Sequence, residues 1–481
     1  MKKSTAPEPA PLSSLGRRDF LKKSALASLA LGSGMLTSRS LRASDIAPSS
    51  GPARNIIFMV SDGMSMGTFT MANQYRQWRD GQRSHWVQLY EQGLGRRALM
   101  DTASLNNLVT DSSAASSAWG CGQRINNGAV NVDPAGKPLT PILLLARAAG
   151  KGTGLVTTAA VTHATPAGFS ANQDSRDDQT GIADQYLERE YDIILGGGLQ
   201  FFDGAKRKDQ RDLLAAFAQK GYAVTQSSAA LREVPADQGK LLGVFASNHL
   251  PYELDRINDE TLKATVPSLA DMTRQALSRL NRQKNGFILQ VEAARVDHAA
   301  HNNDIGGLLF DQLAFDDTIA VVAEFQKQNP DTLVFITTDH GNANPGLNNG
   351  PDGGKQTFSL LSQFKGTQEQ LALNKEMDQP AIRERLRAVT GLDISEPHAD
   401  MLYRHMREEY QVPYKRMNTV KGITGQIIAD HVDIGWVGNS HTSDHVELFA
   451  MGPGSERVTP FIRNCDVFGV MVEATGIPRS I

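Results

Sequence analysis

Short apolar runs recur along this chain, and each stops at polar or small residues. Asn55–Val60 runs into Asp62, and Thr153–Thr158 into Thr162, His163 and Thr165. Tyr191–Leu195 ends at Gly196, Gly197 and Gly198, Phe287–Val291 at Glu292, and Leu333–Thr337 at Asp339 and His340. Val446–Met451 follows His441. Unbroken apolar runs of this length are strands covered on both faces, as in parallel sheets. Pro267–Arg282 and Leu308–Gln328 read as helices between them. Strand and helix alternating in this way predict an α/β fold: a doubly wound, mostly parallel central sheet flanked by helices. Such sheets bind ligands beyond the carboxyl ends of their strands. Here those ends carry Asp, Glu and His.

One stretch breaks the apolar grammar. Thr110–Ser117 is a run of small residues in which Asp111 precedes Ser112. A helix starting at Ser112 would aim its free N–H groups and positive dipole end at a group on the serine hydroxyl, which suits phosphate. Asp111 serves equally well as a simple cap. From Asn342 to Ser440 the pattern changes again. A Gly/Asn-rich loop precedes charged helical stretches, one capped by Asp378 and one starting at Ser395 and reaching about Tyr410. This 342–440 segment reads as an insertion that caps or borders a site, or aids assembly.

Charge refines the picture. The net charge of −3 over 481 residues is uneven. Residues 1–43 hold eight Lys/Arg and two Asp/Glu, leaving 41 basic and 50 acidic residues, a balance of −9, for the remainder. An acidic body without a basic stripe argues against nucleic-acid binding and suits a collector of cations. Residues 1–43 read as a twin-arginine export signal, with Arg17-Arg18-Asp19-Phe20-Leu21-Lys22 ahead of a mildly apolar stretch, Ser24–Leu36. That stretch is too short for a stable membrane anchor. Residues 44–53 form a linker, and 54–481 the folded body. The expected location is periplasmic or secreted, with the twin-arginine machinery as a partner. Cys121 and Cys465 are the two cysteines, which indicates no disulfide framework.

The polar strand ends form a constellation. Glu292, Asp297 and His301 are spaced so that one helical turn puts Asp297 and His301 on one face. Asp339 and His340 could serve one cation from a sharp bend. Imidazole and carboxylate without cysteine suit Zn²⁺ in open sites, and all-oxygen sets suit Mg²⁺. Gathering Asp62, Glu292, Asp297 and Asp339 without metal would be costly, because like charges raise one another's pKa.

In their order and spacing, Val60-Ser61-Asp62-Gly63-Met64, Val109-Thr110-Asp111-Ser112, Thr162-His163-Ala164-Thr165-Pro166-Ala167, Gln290-Val291-Glu292 with Asp297 and His301, Thr338-Asp339-His340-Gly341, and Gly435-Trp436 through His441-Thr442 resemble the alkaline phosphatases. The resemblance covers about residues 54–341 and 435–476. It implies that Ser112 is the nucleophile and becomes a phosphoserine, Ser113 being set aside because the family serine directly follows the aspartate. It implies two Zn²⁺ per chain. Asp297, His301 and His441 match the ligands of one, and Asp62, Asp339 and His340 those of the other, which Ser112 completes. It implies one further ion, Mg²⁺ in many relatives, held by Asp62, Thr165 and Glu292. Arg176 matches the arginine that clamps the phosphate. His163 and His298 stand where relatives vary, so the third ion's identity is open, and both are expected near the ions or the phosphate, with Asp111 behind. The substrates implied are phosphate monoesters, and relatives are often homodimers. A phosphodiesterase or sulfatase on the same sheet is the rival within the superfamily. A non-catalytic periplasmic metal- or phosphate-binding protein is the rival outside it.

Overall fold

The computed structural model describes residues 52–350 and 354–479. The export signal and most of the linker expected at residues 1–53 lie outside the described residues. Ten strands form the main sheet: β1 Asn55–Ser61, β2 Arg96–Asp101, β3 Gly152–Ala160, β4 Ile193–Gly197, β5 Ala223–Thr225, β6 Leu241–Val244, β7 Phe287–Ala293, β8 Thr332–Thr337, and, after two short ribbons, β13 Val446–Met451 and β14 Phe461–Arg463. The ribbons pair β9 Gly341–Asn342 with β12 His441–Thr442, and β10 Gly346–Leu347 with β11 Ile434–Gly435.

The sheet order is β14-β2-β13-β8-β1-β7-β3-β4-β6-β5. Every pairing in it is parallel except the two made by β13. The fold is thus an α/β, mostly parallel sheet with helices on both faces. In β1 the apolar run splits by pleat: Ile57 and Met59 join one core, Ile56, Phe58 and Val60 the other. The first core takes in the helices Leu269–Leu280 and Ile305–Gln328; the second takes in Trp119, Phe169 and the C-terminal helix Asn464–Thr475. Burial on both sides explains why these strands lack polar alternation.

The six strands expected from apolar runs are present. β2, β5, β6 and β14 were not anticipated. β2 begins Arg96-Arg97 and has exposed positions, and the others have three or four residues. The 342–440 segment is largely helical, and Phe358, Ile382, Leu402 and Ile427 join the same core as Ile57. Asp378 and Ser395 cap their helices, although the second ends at His405, short of Tyr410.

Topology gathers the site. β1 lies between β7 and β8, with Val60 beside both Glu292 and Thr337. Their carboxyl ends therefore emerge together. Because β13 runs antiparallel, the chain entering it passes the same rim, and β12 pairs His441 with Asn342 just after His340. β2, parallel to the main set, leads out at that rim toward Asp111.

Candidate active site

Ser112 is the first residue of the helix Ser112–Cys121. The stretch before it is not a strand; Leu108 in it is 79 % exposed. The helix starts where it does because Asp111 is in extended conformation and its Oδ1 accepts from the Ala114 N–H at 2.9 Å. Ser112 itself is buried, and its Oγ lies 3.3 Å from His340 Nε2. The neighbouring Ser113 hydroxyl instead donates to Asp111 Oδ2 at 2.8 Å, which occupies the local rival.

Three groups of side chains have potential ligand atoms within 4.8 Å of one another: Asp297, His301 and His441; Asp62, Asp297 and His340; and Asp62, His163 and Glu292. In the first, His301 Nε2 is 3.4 Å from Asp297 Oδ2, His441 Nε2 is 3.6 Å from Asp297 Oδ1, and the two Nε2 atoms are 3.0 Å apart. Backbone carbonyls hold the other ring nitrogens: Asn439 O is 2.8 Å from His301 Nδ1, and Thr110 O is 2.9 Å from His441 Nδ1. A carbonyl only accepts, so each Nδ1 carries hydrogen and each neutral ring turns an Nε2 lone pair inward. Two facing lone pairs beside a carboxylate call for a cation between them.

The second group, Asp62, Asp297 and His340, has Asp339 beside it, and its imidazole keeps Nδ1 buried without a hydrogen bond. His340 Nε2 lies 3.1 Å from Asp339 Oδ2 and 3.7 Å from Asp62 Oδ1. Asp339 Oδ1 accepts from the backbone of Gly63 and His340, both at 3.0 Å, which leaves buried Oδ2 facing only the His340 ring. Gly63 is required for this approach: its φ is +66°, and a Cβ there would sit 2.4 Å from Asp297 Oδ1. Tetrahedral Zn²⁺ with bonds near 2.0 Å spaces its ligands about 3.3 Å apart. Both groups have spacings of that size, Ser112 Oγ included.

The third group is rich in oxygen. Thr165 Oγ1 donates toward Asp62 Oδ2 at 3.5 Å, and Thr157 Oγ1 donates to Glu292 Oε2 at 2.5 Å. Asp62 Oδ1 and Glu292 Oε1 are buried without partners. The buried orphaned oxygens, the missing cysteine and the inward lone pairs all fit divalent cations.

Electrostatics agree. Burial, then Asp339, Asp297 and Glu292, push Asp62 well above the carboxylate range. Burial lifts Glu292 to about 7. Asp297 raises His301 to about 9, while burial and His340 take His441 down to about 4. Burial opposes ionisation of Asp297, yet His301 and His441 outweigh it and hold Asp297 well below the ordinary value. Without cations, protons take their place in this cluster.

Arg176 stands beside the start of the Ser112 helix. Its Nη1 is 3.1 Å from Asp111 Oδ2 and its Nη2 3.4 Å from His163 Nε2. The sequence placed His163 near the third ion or the phosphate; the structure sets it among the ligand atoms of the third group, where it also meets Arg176. His298 lies outside the three groups, 5.6 Å from His163 ring to ring, with Nδ1 at Arg295 Nη1.

Several contributors were missed. Asn342 Nδ2 donates to Asp297 Oδ1 at 2.7 Å, and its place two residues after His340 was the available signal. His249, whose ring is 4.4 Å from that of His298, and Arg295 carry no such signal. Asn439, Asn342 and Glu369 bring the 342–440 segment to the site, although the sequence assigned it no chemistry.

A serine at a helix N-terminus, facing buried carboxylates and imidazoles grouped for cations, defines a metal-dependent hydrolase on an α/β sheet. Comparison with known proteins narrows this. A family profile described as alkaline phosphatase matches residues 53–477. An alkaline phosphatase of Bacillus subtilis is 31 % identical over 86 % of this chain and 87 % of its own. The crystal structure of Thermus thermophilus alkaline phosphatase superposes with a TM-score of 0.83 at 36 % identity, over 93 % of this chain and 97 % of that one. A cold-active alkaline phosphatase from a Shewanella species superposes with a TM-score of 0.73 at 28 % identity, over 88 % and 100 % of the two chains. The chain belongs to the alkaline phosphatase family.

Proposed function

We propose that this enzyme is an exported phosphomonoesterase that passes its phosphoryl group through Ser112. The observation that carries the reading is Ser112 Oγ, first in its helix and 3.3 Å from His340 Nε2, with Arg176 anchored alongside by Asp111. Two Zn²⁺ would be held, one by Asp297, His301 and His441, the other by Asp62, Asp339 and His340 together with Ser112. A third ion, Mg²⁺ or another cation, would be held by Asp62, Thr165 and Glu292, with His163 within ligand range. When bound, such ions lower the pKa of a serine hydroxyl and of water, and neutralise charge on a departing oxygen.

The chain's own residues do the rest. The helix N-terminus offers N–H donors and positive potential to phosphoryl oxygens. Arg176 supplies planar, charge-assisted donors to the same group. Asp111 fixes the guanidinium, and the buried walls keep the electrostatics strong by excluding water. Ser112 attacks phosphorus, the alcohol leaves, and water later cleaves the phosphoserine to regenerate the hydroxyl.

The test is Ser112→Ala against Ser113→Ala. With radiolabelled phosphate and an acid quench, wild type and Ser113→Ala should retain label on the protein, and Ser112→Ala none. Label on Ser112→Ala would overturn the assignment. Turnover of an aryl phosphate against a bis-aryl phosphate and an aryl sulfate tests the reaction class; a preference for diester or sulfate overturns the monoesterase reading. Arg17→Lys with Arg18→Lys should block export, and its persistence would remove the twin-arginine route. A homodimer completes the reading, checked by mass in solution.

A further inference from the structure

Beside the cation groups lies a set of imidazoles of which only His163 is within ligand range of a cation. His249, His298 and His163 have ring centres 4.4, 5.4 and 5.6 Å apart. Each meets an N–H group that can only donate. The Ala160 backbone N–H reaches His249 Nδ1 at 3.2 Å, Arg295 Nη1 reaches His298 Nδ1 at 3.1 Å, and Arg176 Nη2 reaches His163 Nε2 at 3.4 Å. Arginine has no acceptor and does not deprotonate in proteins. Nδ1 of His298 must therefore be bare, and its hydrogen sits on Nε2. That N–H points away from Arg295 and has no acceptor among the described residues.

Arg295 is itself built into place. Its guanidinium lies 3.6 Å from the centre of the Tyr252 ring, and its Nη2 pairs with Glu369 Oε1 at 2.8 Å. Glu369 is carried by the short helix Gln368–Leu371, which is clamped to the chain just past the helix Arg295–His301. Gln368 N–H donates to Asp304 Oδ2 at 2.6 Å, and Gln368 Nε2 donates to Asn303 O at 3.1 Å. Thr367 binds Asp255 through its N–H at 2.8 Å and its hydroxyl at 2.7 Å.

We infer that Arg295, braced by Glu369 of the 342–440 segment and by Tyr252, is a positioning residue that fixes His298 as an Nε2–H donor to an oxygen of the bound phosphoryl group. The inference rests on the phosphomonoesterase reading for its ligand, but the tautomer does not. Arg295 touches neither substrate nor ions and acts through His298. The segment read from sequence as a border thus reaches the phosphate side of the pocket by two contacts, Glu369 to Arg295 and Arg295 to His298.

The experiment has two independent arms on the metal-loaded enzyme. In the first, histidine side-chain ¹⁵N spectra assign the His298 tautomer, with His298→Ala identifying its signals. Wild type should show a bare Nδ1 and a protonated Nε2; Arg295→Met, which keeps length and removes every donor, should show a mixture. An unchanged tautomer in Arg295→Met overturns the inference whether or not the protein hydrolyses anything. In the second, competitive inhibition by inorganic phosphate is measured in Arg295→Met, His298→Ala and the double variant. Loss of one hydrogen bond weakens phosphate about 3- to 10-fold. The double variant should be no weaker than His298→Ala alone. Additive losses overturn the inference, because Arg295 would then act independently of His298. Glu369→Gln, at a position whose side chain is 42 % exposed, covers the case of a poorly folding Arg295→Met. It should shift the tautomer in the same direction by less, and no shift in it overturns the brace.

Discussion

Asp111→Asn separates two jobs that one carboxylate performs with different oxygens. Oδ1 caps the helix through the Ala114 N–H. Oδ2 accepts from Ser113 Oγ at 2.8 Å, Gly128 N at 2.9 Å and Arg176 Nη1 at 3.1 Å. An asparagine that keeps its oxygen on Ala114 turns an NH₂ toward three donors. The cap then survives while the anchor of Arg176 is lost. Each neutral hydrogen bond is worth about 1 kcal/mol. The Arg176 pair adds little beyond that, since its side chains are 21 % and 18 % exposed and partly screened. The stability loss should be about 2–4 kcal/mol, with about 1 kcal/mol more for Asp111→Ala, which also loses the cap. Freeing Arg176 should lower kcat/KM about 10- to 100-fold, mostly through KM, because misplacing a clamp by about 1 Å has effects of that order. Burial alone would raise the Asp111 pKa, but Arg176 and the N–H donors outweigh it and depress it. Its contribution is therefore complete above the unfolded value near 4 and fades as pH falls through the folded one. Urea unfolding from pH 7 to 3 should show the gap between wild type and Asp111→Asn closing in acid. A variant with kcat/KM within twofold of wild type would refute the anchoring of Arg176 by Asp111.

Other expectations are sharp enough to fail. Gly120→Ala would place a Cβ 1.9 Å from Gly168 O, between the helix that starts at Ser112 and the one that carries Thr165. It should cost at least about 1–3 kcal/mol and depress turnover; wild-type melting and turnover would show that these helices tolerate separation. Chelation should lower the melting temperature and abolish activity together, since it leaves buried carboxylates uncompensated, and an unchanged melting curve in chelator would deny cations a structural part. Burial lifts Asp304 to about 6, against the N–H groups of Gln368 and Gly307 that hold it down. A raised carboxyl favours folding below its unfolded value and loses that advantage as pH rises through the folded one. From pH 4 to 7 wild type should thus lose at most about 3 kcal/mol relative to Asp304→Asn, and a gap independent of pH would reject a buried, elevated Asp304.

Apolar runs revealed the sheet because β1, β3, β4, β7, β8 and β13 are covered on both faces. The same rule hid β2, which starts with two arginines, one of them paired to buried Glu447 in β13. The side chains at and around the candidate cation groups were legible for a related reason. Asp62, Glu292, Asp339 and His340 sit where apolar runs end, and Asp297 and His301 share one helical turn. What holds them was not legible. Asn439 and Thr110 contribute only backbone carbonyls, which any residue supplies. Arg295 and His249 join the site through ring and guanidinium contacts that span 74 positions in one case and cross strands in the other. No local spacing encodes such pairings.

The single antiparallel strand explains why one imidazole of the set comes from so late in the chain. Parallel strands deliver side chains to the upper rim only as they end, and each must then be followed by a crossover that leaves it. β1, β7 and β8 use that rule for Asp62, Glu292 and Asp339. A strand running the other way presents its beginning at the same rim. β13 does so, and the chain just ahead of it pairs as β12 with β9, setting the His441 ring 3.6 Å from that of His340. His441 thereby completes the group around Asp297, its Nε2 3.0 Å from that of His301. It also ties the rim to the loop ahead of Ser112, because its Nδ1 donates to Thr110 O, two residues before that serine. Reversing one strand thus lets a ring from near the C-terminus both face the cation groups and set the approach of the serine.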